Sequence, residues 1–323
     1  MAVSRSWKPG ASLEGPFPAT ADDIPGMNQV FSDAFTERYR RDGMVGVRVP
    51  FLNPTVWRYA IEDAADGALC WRAHGEIAAF NMVHRSGAEG WMGPLAVRQD
   101  LQGAGVGKEI VRHGIEWLRE SGARVIGLET MPRTLDNIGF YSTLGFVPGR
   151  LTLTATLDAT HASQTPYLFG RLASLEKDRA LQHCRALLDG LLPGYDHTRE
   201  IQLTDEMSLG DTVLQYDGDA LAGFALCHTV PLVEGRVREE LRVLKLVLAD
   251  ESYLEPMVAT LRDFARRCGT RRVAIRMQGE YATAYQRLIA LGARVRWSDL
   301  RMSLAGYAER APARGIVLSN WEI

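Results

Sequence analysis

Leu95-Ala96-Val97-Arg98-Gln99-Asp100-Leu101-Gln102-Gly103-Ala104-Gly105-Val106-Gly107-Lys108 joins an apolar run, Trp91 to Val97, to an amphipathic one, with three alternate glycines at the junction. Glycines there let the backbone approach a ligand closely, and the unpaired N–H groups of a helix start point outward. Together these features describe an anion site. The same glycines alone also fit a plain tight turn or a nucleotide loop. A Walker loop is excluded because no Gly-Lys-Ser/Thr ending is present. The dinucleotide fingerprint needs Gly-x-Gly-x-x-Gly, whereas here the order is Gly103-x-Gly105-x-Gly107. Glu129 stands at a suitable distance for a ribose contact, so that reading is disfavoured rather than excluded.

Downstream, Val111, Ile115 and Leu118 keep helical spacing until Ser121-Gly122. Val125 to Leu128 reads as a strand, Leu135 to Leu144 as a helix closed by Gly145, and Phe146 to Leu157 as an alternating strand. Upstream, the first ~19 residues read as a lead-in or a short edge strand. Thr20 with Asp22 and Asp23 marks a helix start, and a second helix covers Thr55 to Ala64. Strands at Ala68 to Trp71, Ile77 to Val83 and Trp91 to Val97 follow.

The second half repeats this order. Helices are predicted at Leu175 to Leu192, Tyr253 to Ala265 and Tyr281 to Leu291. Strands are predicted at Thr212 to Tyr216, Ala220 to Val230, Leu241 to Leu248, Val273 to Ile275 and Val295 to Leu304. At an offset of 147, Gly122 falls on Gly269 and Leu144-Gly145 on Leu291-Gly292. One internal duplication explains this, giving domains at 1–158 and 159–323 joined through the small polar stretch Ala159 to Thr165.

A chain of 323 residues fits two domains, and 46% hydrophobic with 24% charged residues is a globular composition. A formal net charge of −2 gives no reason to expect nucleic acid as a partner. Cys70, Cys184, Cys227 and Cys268 lie far apart without metal-ligand spacing, so free thiols and no metal are expected. No signal-like or membrane-spanning apolar run appears, which predicts a cytoplasmic protein with no membrane partner.

The glycine loop has company. Leu95-x-Val97 precedes it, and Asn137 with Phe140-Tyr141-x-x-Leu144-Gly145-Phe146 follows. Over Thr20 to Leu157 this set resembles the GNAT superfamily of acyl-CoA-dependent N-acyltransferases. The resemblance implies an α/β fold in each half, a splayed mixed β-sheet flanked by helices. It implies that Gln102, Gly103, Ala104, Gly105, Val106, Gly107 and Lys108 wrap the pyrophosphate of acetyl-CoA. Leu95, Ala96 and Val97 would face the pantetheine, with their N–H groups near the thioester carbonyl. Asn137 would contact the pantetheine arm and Tyr141 would protonate the departing thiolate. The competing reading of Tyr141 is a core aromatic beside Phe140 and Leu144. Glu129 is the candidate general base, or a solvated carboxylate at a strand end. His84 and His113 read as surface or packing residues.

Under the same offset Asn137 falls on Ala284 and Tyr141 on Leu288, and Ala249-Asp250-Glu251-Ser252-Tyr253-Leu254 replaces the glycine loop. Two carboxylates there would repel a pyrophosphate. The second half therefore resembles a degenerate GNAT domain, an organisation similar to that of mycothiol synthase in architecture only. The expected function is acetyl transfer to the primary amine of a small-molecule acceptor. The alternatives are transfer of a longer acyl group, a mycothiol-synthase-like reaction, or a non-catalytic acyl-CoA sensor.

Overall fold

A computed structural model describes residues 13–163 and 165–321. The first half runs β1 (Glu14–Pro18), α1 (Ile24–Arg41), α2 (Pro54–Ala64), β2 (Ala68–Ala73), β3 (Glu76–Ser86), β4 (Glu89–Val97), α3 (Val106–Glu120), β5 (Val125–Thr130), α4 (Leu135–Ser142) and β6 (Phe146–Asp158). The second runs β7 (Tyr167–Leu168), α5 (Ser174–Leu191), α6 (Thr198–Glu206), β8 (Gly210–Asp217), β9 (Ala220–His228), β10 (Glu240–Leu248), α7 (Leu254–Arg267), β11 (Arg272–Gln278), α8 (Ala282–Ala290), β12 (Arg294–Leu304) and β13 (Ile316–Ser319).

Of the lead-in, residues 1–12 lie outside the described residues, and β1 is an edge strand against β2. Thr20 and Asp23 form a capping box, which starts a short 3-10 turn that runs into α1. The repeat is visible in the backbone. Gly122 and Gly269 take φ +83° and +73° after α3 and α7, and Gly145 and Gly292 take +91° and +92° after α4 and α8. These are left-handed helix ends, which glycine adopts without a Cβ penalty. Sequence reasoning missed α6, β7 and β13.

The thirteen strands form one mixed sheet, with twelve in the order β1-β2-β3-β4-β5-β12-β6-β11-β10-β9-β8-β7 and β13 on β10. The strand after each half's last helix, β6 or β12, has crossed over. β12 lies between β5 and β6, and β6 lies between β12 and β11. Among the described residues only β4–β5 and β10–β11 are parallel.

Each parallel pair opens part-way. β4 pairs with β5 from Glu89–Val125 to Met92–Leu128 and then departs. One extra residue on β4 opposite β3, between Met92 and Leu95, marks a bulge at the departure. β10 pairs with β11 from Glu240–Arg272 to Val243–Ile275. Beyond that point β13 takes the freed edge, pairing Lys245–Ser319 through Leu248–Ile316. The opening is free in the first half and filled by the chain itself in the second.

Candidate active site

The free opening widens into a cleft of about 820 Å³, lined by Leu95, Ala96, Val97, the glycine loop, α4 and residues of the second half. Leu95, Ala96 and Val97 pair with Asn81, Phe80 and Ala79 of β3 on one side only. Their other backbone edge has lost β5, so an extended ligand finds a strand edge to pair with.

At the cleft mouth, Gln102 Nε2 donates to the carbonyl of Val97 at 2.9 Å, tying the loop to the strand end. Gly103 and Gly105 sit at φ +82° and +91°, and the space where a Cβ would stand is open at both. Gly105 is the N-cap of α3, so the helix's unpaired N–H groups start there. Gly107 lies under Phe140, where an added Cβ would come within 3.3 Å of the ring. Gln102, Gly103, Gly105, Gly107 and Lys108 all line the cleft, and this donor set fits a pyrophosphate. Ala104 and Val106 do not line it. Val106 packs against the cluster of Val97 and Ile110, while Ala104 lies beside Glu109 and Arg112 on the outer side.

Asn137 and Tyr141 project from α4 into the same cleft, and Asn137 Nδ2 donates to Thr130 Oγ1 at 3.5 Å. Tyr141 is half-buried and packs edge-on to Phe140 and Phe146. Burial pushes its phenol up to about 12, so it keeps its proton at neutral pH.

Glu129 is not a solvated strand end. It lies within β5, and its side chain is 2% exposed. Arg276 Nη2 donates to Oε2 at 2.5 Å, Thr152 Oγ1 donates to Oε1 at 2.5 Å, and Arg301 Nε lies 3.6 Å away. Burial raises its carboxyl, but Arg276 and Arg301 together outweigh that and hold it below the ordinary range. Alternation along β5 turns Leu128 towards the Phe140 and Tyr141 cluster and Glu129 to the opposite face. The cleft therefore has a phenol on one face of the sheet and carboxylates on the other.

His84 is a packing residue, stacked on Trp91 with Nδ1 2.6 Å from Asp63. His113 packs at a tilt against Trp71. Cys70, Cys184 and Cys227 are buried free thiols, and Cys268 is half-buried. Among the described residues no group of three or more His, Cys, Asp or Glu could hold a metal ion, and no helix is long and apolar enough to cross a membrane.

The second half has the counterpart positions without the cleft. Asp250 Oδ1 accepts from Ser252 N at 2.9 Å and Ser252 Oγ at 2.7 Å, so a carboxylate already occupies that helix start. Ala284 and Leu288 are buried core. Sequence reasoning missed Trp297, Asp299 and Trp321, which line the first half's cleft from the second half. Trp297 and Asp299 are placed by the exchange of β12 and Trp321 by the chain that leaves β13, and no local pattern announces either.

Residues 27–146 match the model of the acetyltransferase (GNAT) family. No curated protein matches the sequence. Among solved structures, the chain is similar to a candidate acetyltransferase from Pyrococcus horikoshii, at 17% identity, covering 99% of this chain and 98% of that one, with a TM-score of 0.68. A GCN5-related N-acetyltransferase from Sphaerobacter thermophilus is 16% identical, with coverage of 94% and 97% and a TM-score of 0.55. A tandem GNAT protein from the clavulanic acid biosynthesis pathway is 12% identical, with coverage of 93% and 100% and a TM-score of 0.57. Residues 27–146 thus resemble the acetyltransferase (GNAT) family, and the chain as a whole has a fold like that of these structures, one of them a tandem GNAT protein.

Proposed function

We propose that this chain transfers an acetyl group from acetyl-CoA to the primary amine of a small molecule, using one donor site in residues 1–158. In this reading residues 159–323 keep the fold without a donor site. The observation that carries it is the meeting, in one cleft, of an unpaired strand edge, a left-handed glycine loop at a helix start, and a protonated tyrosine.

The donor's thioester supplies an activated acyl group. The chain's own residues supply the rest. Gly103, Gly105 and Gly107 admit the phosphates to the N–H groups of the loop, with Gln102 and Lys108 beside them. The freed edge of Leu95 to Val97 orients the arm and offers N–H groups to the carbonyl oxygen; one such donor elsewhere is worth about 2.7–4 kcal/mol. Asn137 steadies the arm from α4. Tyr141 gives its proton to the sulfur that leaves, since a phenol held neutral can still protonate a thiolate. Glu129, held ionised between two arginines, is a poor proton acceptor and serves as a fixed negative charge.

Calorimetry with coenzyme A, together with thiol release from acetyl-CoA in the presence of amines, tests this. Wild type should bind and turn over. Gly105→Val should stay folded by circular dichroism and lose coenzyme A binding, because valine cannot readily adopt φ +91° and blocks the approach. Normal binding by that folded variant would remove the loop from the donor site.

A further inference from the structure

The side of the cleft facing Glu129 is built largely by the other half of the chain. β12 pairs with β5 so that Leu300 stands opposite Thr130 and Arg301 opposite Glu129. Two residues earlier, the buried Asp299 carboxylate lines the cleft. Its Oδ1 accepts from Trp297 Nε1 at 3.1 Å and its Oδ2 from Arg276 Nη2 at 3.0 Å, which leaves lone-pair capacity on both oxygens. Trp297 is 43% exposed and lines this cleft. Phe31, Phe35, Leu52, Leu232 and Trp321 give the same cleft apolar lining, alongside the charged Glu37, Arg38 and Arg41.

Asp299 and Glu129 share the Arg276 guanidinium, while Arg301 lies 3.6 Å from Glu129 and 3.3 Å from Glu309. A cation with an apolar body complements a carboxylate with open lone pairs beside an indole face. We propose, resting on the acetyl-transfer reading above, that Asp299 and Trp297 of the second half complete the acceptor site. The carboxylate takes the acceptor's ammonium and the indole its body, so the acceptor is a primary amine on an aromatic or aliphatic skeleton.

The ammonium gives one proton to the Asp299 carboxylate. The freed nitrogen lone pair forms the C–N bond as the C–S bond breaks, and Tyr141 protonates the sulfur. A second nitrogen proton restores the phenol, and the third stays on the amide. The proton on Asp299 leaves to solvent, so one proton is released per turnover. Asp299 suits this better than Glu129. Burial raises its carboxyl, and the nearby Glu129 charge adds to that against the pull of Arg276, whereas Glu129 is held low.

Thiol release by the full-length chain with acetyl-CoA and 2-phenylethylamine, n-hexylamine or 2-phenylethanol tests the inference. Both amines should react and the neutral alcohol should not. Asp299→Asn should lower kcat by about 100-fold or more and remove the acidic limb of its pH profile. The charged groups facing Asp299 that shape that limb are Arg276 and Glu129, and Arg301 and Glu309 act on it only through Glu129. Trp297→Ala should raise KM for 2-phenylethylamine by about 10-fold with kcat little changed, and Trp297→Phe should recover most of it. Coenzyme A affinity and melting temperature are measured for each variant, and if Asp299→Asn fails to fold the half-exposed Trp297 pair decides. Wild-type kinetics in the folded variants would overturn the inference. So would a wild-type chain that binds coenzyme A yet acetylates neither amine. No coenzyme A binding at all would overturn the acetyl-transfer reading itself, and the inference with it.

Discussion

Arg276 lies 147 residues after Glu129, the spacing of the internal repeat, and donates to its carboxylate at 2.5 Å across the join between the halves. Equivalent positions thus carry opposite charges and meet, because the exchange of β6 and β12 sets β5 and β11 symmetrically about the join. Both side chains are almost fully buried, so removing one partner leaves an uncompensated charge.

Arg276→Met should therefore destabilise the chain by about 3–5 kcal/mol, the usual result of breaking a buried pair. Adding Glu129→Gln should restore part of that loss. Chemical denaturation of wild type, single and double variants measures both. Equal stability of wild type and Arg276→Met would mean that Arg301 and Thr152 suffice to hold Glu129.

Tyr141→Phe should lower kcat by about 10²–10⁴, as loss of a general acid does, while coenzyme A affinity changes little because the ring keeps its packing. With the phenol pushed up to about 12, its ionisation adds no alkaline limb to the wild-type rate near neutral pH. Near wild-type turnover in the variant would reduce Tyr141 to a packing residue.

Glu309 gives a pH dependence of known sign. Burial lifts its carboxyl from 4.5 to about 7 against the pull of Arg301. The folded chain then holds a proton that the unfolded chain releases, so this contribution is fully present below pH ~4.5 and is lost as pH rises through about 7. Glu309→Gln should shrink the difference in melting temperature between pH 5 and pH 8. An unchanged difference would mean that the group titrates normally.

Elements with a local signature were legible in advance. The glycine loop, α3 and the left-handed ends after α4 and α8 follow from residues a few positions apart. Asp250 was legible as a negative charge, but not as a side chain capping its own helix start. α6 escaped because its buried face is mostly polar, with Thr198, Glu200 and Thr204 beside Ile201, so no apolar period appears. β13 has only four residues, too few for alternation to register. The crossing of β6 and β12 is silent in principle, since each strand has the same alternation whichever neighbour it pairs with. Asp299 and Trp297 stayed hidden for that reason.

One coenzyme A should bind per chain, and the first half should not fold without the second. The second opening is closed three times over. β13 pairs along β10 where an extended arm would lie, and Tyr281 Oη fixes it by donating to Val317 O at 3.0 Å and accepting from Val317 N at 3.2 Å. Asp250 already satisfies the N–H of Ser252. Ala284 and Leu288 stand where the first half has Asn137 and Tyr141. Calorimetry on the full chain should give a stoichiometry near one, and a value near two would mean that β13 leaves its place. Residues 1–160 expressed alone would lack β12, which separates β5 from β6, and β11, the other neighbour of β6. Both β5 and β6 would then expose unpaired edges, and Phe146 would lose Met302 and Leu304 from its cluster. That fragment should aggregate or melt without a cooperative transition. A soluble, cooperatively folded monomer of residues 1–160 would show that β6 can close directly onto β5, and that the exchange is not needed for the first half to fold.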